Sequence, residues 1–296
     1  FYGGVMDVFR QPKYAYYMFK AQRSPEKQDR LFETGPMVYI AHEMTPFSPK
    51  DVTVYSNCDE VRLTYNKGGK TWTYTKPATK EGMPSPVITF KDIYDFMIDK
   101  NMSMRKKKQD EVFLLAEGII DGKVVATHEV RPARRPEKVL LWVDNENTDL
   151  KADGSDFVTV VAAIADKNGN IKRLNNYYVK FHVEGEGRIL GGANILANPA
   201  PVKWGTAPVL IQSTLKPGKI KITASVLFEG SQMPASAVLE LESKPAAHPL
   251  IYTESKAALI SMNSDSPFGQ SAAKSASELE QERLLKERNA QKLKEV

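Results

Sequence analysis

Cysteine is almost missing from this sequence. Cys58 stands alone among 296 residues, which excludes an intramolecular disulfide and a cysteine-based zinc site. A single cysteine in an apolar, turn-like stretch reads as a small buried filler, and it leaves the redox compartment open. Long apolar runs are missing too. None approaches the roughly 18 residues that a membrane helix requires, so no membrane partner is expected. The first residues, FYGGVMDVFR, lack the charged-then-apolar layout of a secretory signal. They also lack an initiator Met and open on an apolar run, which reads as the interior of a longer polypeptide. Charge is nearly balanced, with 41 basic residues against 36 acidic ones and a formal net of +5. That is far from the concentrated basic patch of a nucleic-acid binder. The dense run Arg105-Lys106-Lys107-Lys108 has acidic flanks and no interleaved aromatics, so it reads as a solvated loop and no nucleic-acid partner is expected.

Motifs for chemistry are equally sparse. The four histidines, His42, His128, His182 and His248, have no second ligand at a spacing such as H-E-x-x-H, so no metal site is expected. His182 falls in an alternating strand and should face solvent, and His42-Glu43 at a strand end reads as unremarkable. GEGRILGG at 185–192 resembles a dinucleotide fingerprint only superficially. Leu190 occupies the position of its last glycine and no βαβ context precedes it, so no cofactor is expected. The stretch reads instead as a bulge or turn with close backbone contacts. Asp153-Gly154-Ser155-Asp156 and Asp166-Lys167-Asn168-Gly169-Asn170 offer oxygen ligands but do not complete a calcium loop. No G-x-S-x-G elbow occurs. Carboxylate pairing is left open by spacing alone, although most Asp and Glu fall in turns or on polar strand faces. Trp72, Trp142 and Trp204 could stack on sugars, but a Trp in an alternating strand is more commonly a core residue.

What is present is β patterning. Residues 1–22 predict a turn and then a helix of about 11 residues, beginning near Pro12 and ending at Ser24-Pro25. Tyr14, Ala15, Met18 and Phe19 make its apolar face, which needs a host that should lie upstream. From about 31 the period changes to two. DVTVYSN and EVRLTYN alternate, KTWTYTK continues the pattern, and Asp92–Lys100 predicts a short helix. VFLLAEGII and KVVATHEV flank Asp121-Gly122, a strong hairpin signal. ARRPEK at 133–138 reads as a linker. A second β-rich block follows, with FVTVVAAIAD as a central strand buried on both faces, then YVKFHVE, VLIQST, KIKITASVLF and AVLELE. After 245 the composition turns to Ser, Ala, Pro and Asn, then to charge, and SELEQERLLKERNAQKLKEV predicts an exposed helix or frayed tail.

These residues carry a family resemblance. GGVMDVFRQPKYAYYMFKAQ, with Phe9-Arg10-Gln11-Pro12-Lys13, resembles the end of the catalytic barrel in glycoside hydrolase family 2, the β-galactosidase-like enzymes. VTVYSNCDEVRLTYNKGG is similar to the hairpin that starts the family's next module, at Val52, Val54, Tyr55, Ser56, Asn57, Val61, Leu63 and Asn66, although Lys67 replaces the usual glycine. DGKVVATHEVRPARRPEKV resembles that module's end, with Pro132 in place of a threonine. ADGSDFVTVVAAIADKNGN, VKFHVEGEGRILG and STLKPGKIKITAS resemble the terminal module. Gly191-Gly192-Ala193-Asn194 departs from the family's loop at that point.

The resemblance implies a mainly β chain with two tandem immunoglobulin-like β-sandwiches. The implied order is the last barrel helix at 1–30, sandwiches at 31–136 and 137–244, and a linker and charged helical tail at 245–296. It also implies a retaining β-glycosidase using two glutamates about 5 Å apart, both upstream of Phe1. No catalytic, cofactor-binding or metal residue is therefore expected in this chain. The implied role is the non-catalytic C-terminal portion of the enzyme, structural or rim-shaping, in carbohydrate degradation. The implied partner is the chain's own upstream barrel, with carbohydrate contact and homo-oligomerisation left open and export to the periplasm implied by resemblance only. A carbohydrate-binding module and an adhesin-like tandem of sandwiches are the alternatives.

Overall fold

The computed structural model describes residues 4–26, 35–67, 70–77, 87–98, 100, 112–144, 148–227 and 233–246. By internal contacts the chain divides into Phe1–Lys244 and Pro245–Val296, and the account below concerns the first part. The basic run at 105–108, His248 and the charged tail lie outside the described residues.

Two pairs of antiparallel sheets follow from the two alternating blocks. In the first, β1 (Val38–Ala41), β2 (Val52–Ser56) and β5 (Ile88–Phe90) form one sheet. The other contains β3 (Glu60–Lys67), β4 (Lys70–Pro77), β6 (Phe113–Ile120) and β7 (Lys123–Val130), in the order β4-β3-β6-β7. Side chains point to opposite faces along a strand. The alternation therefore turns Val52, Val54, Val61, Leu63, Tyr65, Leu114 and Ala116 inward, where they pack with Ile40, Met44 and Phe90. Asp121 and Gly122 take φ of 49° and 70° between Ile120 and Lys123, which pair with each other. Two positive φ values in a two-residue loop define a type I′ hairpin, the form for which Asp-Gly is favoured. Cys58 is buried, and a Cβ added to Gly118 would lie 2.5 Å from its sulfur, beside the irregularity between Gly118 and Ile119.

The second pair uses β8 (Lys138–Asp144), β10 (Phe157–Ala165), β12 (Gly187–Ile189) and β14 (Thr206–Ser213) in the order β12-β14-β10-β8. Facing it are β9 (Lys151–Ala152), β11 (Tyr178–Gly185), β13 (Ala200–Pro201), β15 (Gly218–Leu227) and β16 (Ala237–Pro245), in the order β13-β11-β15-β16-β9. β10 lies between β8 and β14 and is buried continuously from Val160 to Ala165. That is the behaviour expected of a strand covered on both faces. Phe181, Ile211, Ile220 and Ile222 fill the space between the sheets.

The N-terminal segment differs from its sequence reading in four respects. Helix α1 spans Tyr14–Lys20, only 7 residues. Pro12 lies before it, in a β-bridge with Met6, because Asp7 organises the preceding turn. One carboxylate oxygen of Asp7 accepts the amides of Phe9 and Gln11, each at 2.8 Å. The inward face is Tyr14, Tyr17 and Ala21, at i, i+3 and i+7, while Phe19 is 59% exposed. The host is inside the chain: the Tyr17 ring stacks on Tyr39 of β1 at 3.5 Å and 5°.

Candidate functional site

A cleft of about 190 Å³ opens between the two sandwiches, lined by Tyr39, His42, Glu43, Arg131, Asn170 and Arg173 among others. Glu43, just beyond β1, is its hub. The Tyr14 hydroxyl donates to one carboxylate oxygen at 2.8 Å, and Arg173 Nε donates to the other at 2.7 Å. Arg173 Nη1 in turn donates to the carbonyl of Trp204 at 3.2 Å. One carboxylate thus ties the helix, the first sandwich and the second together. A charge-assisted bond of this kind is stronger than a neutral one. Burial, and then the Glu43 carboxylate beside it, push the Tyr14 hydroxyl far above the ordinary tyrosine range, so it remains a donor. Gln11 adds a second link, its amide donating to Asp144 of β8 at 2.7 Å.

Two histidines line this cleft. His42 is buried; its Nε2–H donates to the Pro49 carbonyl at 2.9 Å and its Nδ1 accepts the Met44 amide at 3.1 Å. Both nitrogens are used in one neutral tautomer. His128 accepts the Ile40 amide on Nδ1 at 3.1 Å and stacks on Tyr39 at 4.5 Å. Burial lowers both pKa values, against the opposing pull of Glu43. Neither ring is presented as a ligand. Among the described residues no three His, Cys, Asp or Glu side chains cluster as a metal site.

The remaining candidates separate cleanly. Asp153 Oδ1 accepts the Ser155 and Asp156 amides at 2.8 and 2.7 Å and the Ser155 hydroxyl at 3.0 Å, a local turn. Asp166 is fully buried and receives the amides of Arg134, Asn168 and Asn170 and the Asn170 side chain. Burial alone would raise its pKa, but these donors outweigh it and hold the carboxyl below the usual range. It fastens the linker to the second sandwich. Gly185 has φ 91°, and a Cβ there would lie 2.2 Å from the Lys219 carbonyl oxygen, so GEGRILGG begins as a close-contact turn at the end of β11, and its Gly187–Ile189 go on to form β12. His182 is exposed beside Glu184 at 3.3 Å. The core reading fails for two tryptophans: Trp142 is 36% exposed on β8 and Trp204 is 52% exposed at a hairpin tip. The side chain of Trp72 lies outside the described residues.

Chemically, this arrangement is built to hold parts together. Both oxygens of Glu43 are engaged, and Glu129 is held by Arg131 through two hydrogen bonds. Each carboxylate lining the cleft therefore has its own arginine and is committed to an ion pair. Sequence reading treated Glu43 as unremarkable and did not single out Tyr14's hydroxyl or Arg173. Glu43 and Arg173 are 130 residues apart, and no local pattern announces such a pair.

Comparison with known proteins agrees with this architecture. Residues 141–228 match the family model described as glycoside hydrolase family 2 C-terminal domain 5. A β-galactosidase of Thermoanaerobacter pseudethanolicus is 33% identical over 227 residues, covering 75% of this chain and 28% of that protein. A β-galactosidase of Thermoanaerobacterium thermosulfurigenes is 30% identical over 192 residues, covering 64% of this chain and 26% of its own length. The chain thus spans only about a quarter of these relatives. Among solved structures, a β-glycosidase from Bacteroides vulgatus superposes with a TM-score of 0.59 at 25% identity, over 81% of this chain and 28% of that one. The chain belongs to glycoside hydrolase family 2, as a C-terminal region of the β-galactosidase-like kind.

Proposed function

We propose that this chain is the non-catalytic C-terminal portion of a retaining β-galactosidase-like enzyme, and that its work is architectural. The observation that carries this reading is the bridge at Glu43. It joins the helix that resembles the last barrel helix to both sandwiches through Tyr14 and Arg173. Acid/base and nucleophilic chemistry on a glycosidic bond needs two carboxyl groups facing the same sugar. The carboxylates of this cleft are instead each occupied by an arginine. The two catalytic glutamates belong to the preceding barrel of the same polypeptide. That barrel is the partner we assign to the outer side of the N-terminal segment, where Val8 is 86% and Phe19 59% exposed. Covering large apolar side chains of this kind stabilises an interface by roughly 1.5–3 kcal/mol each.

The test produces the preceding barrel portion and this chain separately and measures their association by co-elution and calorimetry. A stable complex that is weakened by Val8→Asp and Phe19→Asp supports the reading. Absence of a complex, or one indifferent to both substitutions, overturns it.

A further inference from the structure

On β7 the less exposed positions alternate as Ala126, His128 and Val130. Ala126 and Val130 pack against the first core, as strand alternation requires. His128 sets a titratable ring in the middle of that apolar row. Its partner explains the placement. β1 is the outer strand of its sheet and pairs with β2 alone, so its other edge carries backbone groups without a neighbouring strand. The Ile40 amide on that edge donates to His128 Nδ1 at 3.1 Å. One side chain thus does the work of a missing strand and closes the seam between the two sheets of the first sandwich.

The same ring belongs to a stack. It lies against Tyr39 of β1 at 4.5 Å and 26°, and Tyr39 lies against Tyr17 of α1 at 3.5 Å and 5°. His128, Tyr39 and Tyr17 therefore join β7, β1 and α1. A helix of 7 residues does not hold in water unaided, so α1 depends on such packing for its place.

The Ile40 contact admits one protonation state. An imidazole nitrogen accepts only while it carries no proton, so the ring is neutral with its proton on Nε2. A second proton would set an N–H on Nδ1 against the Ile40 N–H, donor to donor. The amide would lose its acceptor and the ring would turn out of the stack. The surrounding groups do not compensate. Glu43 attracts an imidazolium, but Tyr14 and Arg173 occupy its oxygens. Glu129 is paired with Arg131. Burial holds the hydroxyls of Tyr14 and Tyr39 far above the ordinary tyrosine range, so both stay neutral. His42 already uses both ring nitrogens.

We infer that His128 is an acid-operated latch, whose protonation opens the seam between β1 and β7 and releases helix α1 while the second sandwich stays folded. The inference stands on this chain's own contacts and does not require the barrel assigned above. It differs from a general loss of stability in naming the segment that leaves.

The test is hydrogen exchange of the full chain between about pH 8 and pH 4, each rate divided by that of the unfolded chain at the same pH. Opening takes up a proton, so its equilibrium should rise about tenfold per pH unit below about 6.5, the value of a free imidazole. The rise should level off where NMR shows the His128 ring itself to titrate. Protection should be lost on this schedule at Ile40 and at Ala21, whose amide donates to the Tyr17 carbonyl at 2.9 Å. The amides of β10 should keep theirs. His128→Asn retains an oxygen acceptor near the place of Nδ1 and cannot be protonated, so its protection at Ala21 should not change with pH. The inference is overturned if Ala21 stays protected in the wild type at the lowest pH, or if β10 is lost in step with it. It is also overturned if the loss follows the titration of His42, or if it persists in His128→Asn, since the Glu43 carboxylate would then be responsible. The wild-type comparison of exchange with ring titration decides the matter even where the variant does not fold.

Discussion

The bridge at Glu43 makes a quantitative prediction. Replacing Glu43 by Ala removes acceptors from the Tyr14 hydroxyl at 2.8 Å and from Arg173 Nε at 2.7 Å. Breaking a buried ion pair by deleting one partner costs about 3–5 kcal/mol. The Glu43 side chain is 13% exposed but that of Arg173 is 25% exposed, so solvent screening reduces this toward about 2–3 kcal/mol. Arg173→Met should cost somewhat less, because it leaves Glu43 with Tyr14. If the two groups act through each other, the double variant should be less destabilised than the sum, with a coupling energy of about 1–2 kcal/mol. The assay is urea unfolding of the wild type, both single variants and the double variant at one pH and salt concentration. Additive losses, with coupling below about 0.5 kcal/mol, would refute the claim that this pair ties the two sandwiches. So would a Glu43→Ala variant as stable as the wild type.

Other outcomes follow from the same geometry. His42 and His128 are held neutral by burial, so the unfolded chain binds more protons once pH falls below about 6.5. Stability should be flat above that value and decline below it, and His128→Gln should flatten part of the decline in urea midpoints measured from pH 8 to 5. Asp166→Asn places an amide where a carboxylate accepts four donors. A loss of about 2–3 kcal/mol is expected in the same unfolding assay. Cys58 is 2% exposed and burial raises its thiol pKa. It should react with a thiol reagent only on unfolding, so a native rate close to that of free cysteine would contradict the burial.

The longer strands were legible because each obeys a local rule, whereas the short strands β1, β5, β9, β12 and β13 carry too few residues to show one. Period-two alternation placed β2, β3 and β11, the unbroken apolar run placed β10, and Asp-Gly marked the turn between β6 and β7. The helix was legible as a helix but not in its facing. Spacing alone grouped Phe19 with Tyr14, whereas the inward face is selected by Tyr39 and Glu43, which lie on a strand and loop far along the chain. Arg173 was invisible for the same reason: a long-range ion pair leaves no periodic trace. Trp204 was named as a residue that could stack on sugars but was read as a strand residue more commonly found in a core, and a Trp-Gly pair does not resemble the usual type I′ signal. Its left-handed φ of 53° is recognisable only in the structure.

The most direct test of the architectural reading is the hydrolysis of a chromogenic β-galactoside by this chain alone. With both catalytic glutamates outside Phe1–Val296, as proposed, the expected rate equals that of buffer. A measurable turnover that is abolished by replacing a carboxylate within the chain, Glu43 or Glu129 first, would contradict it.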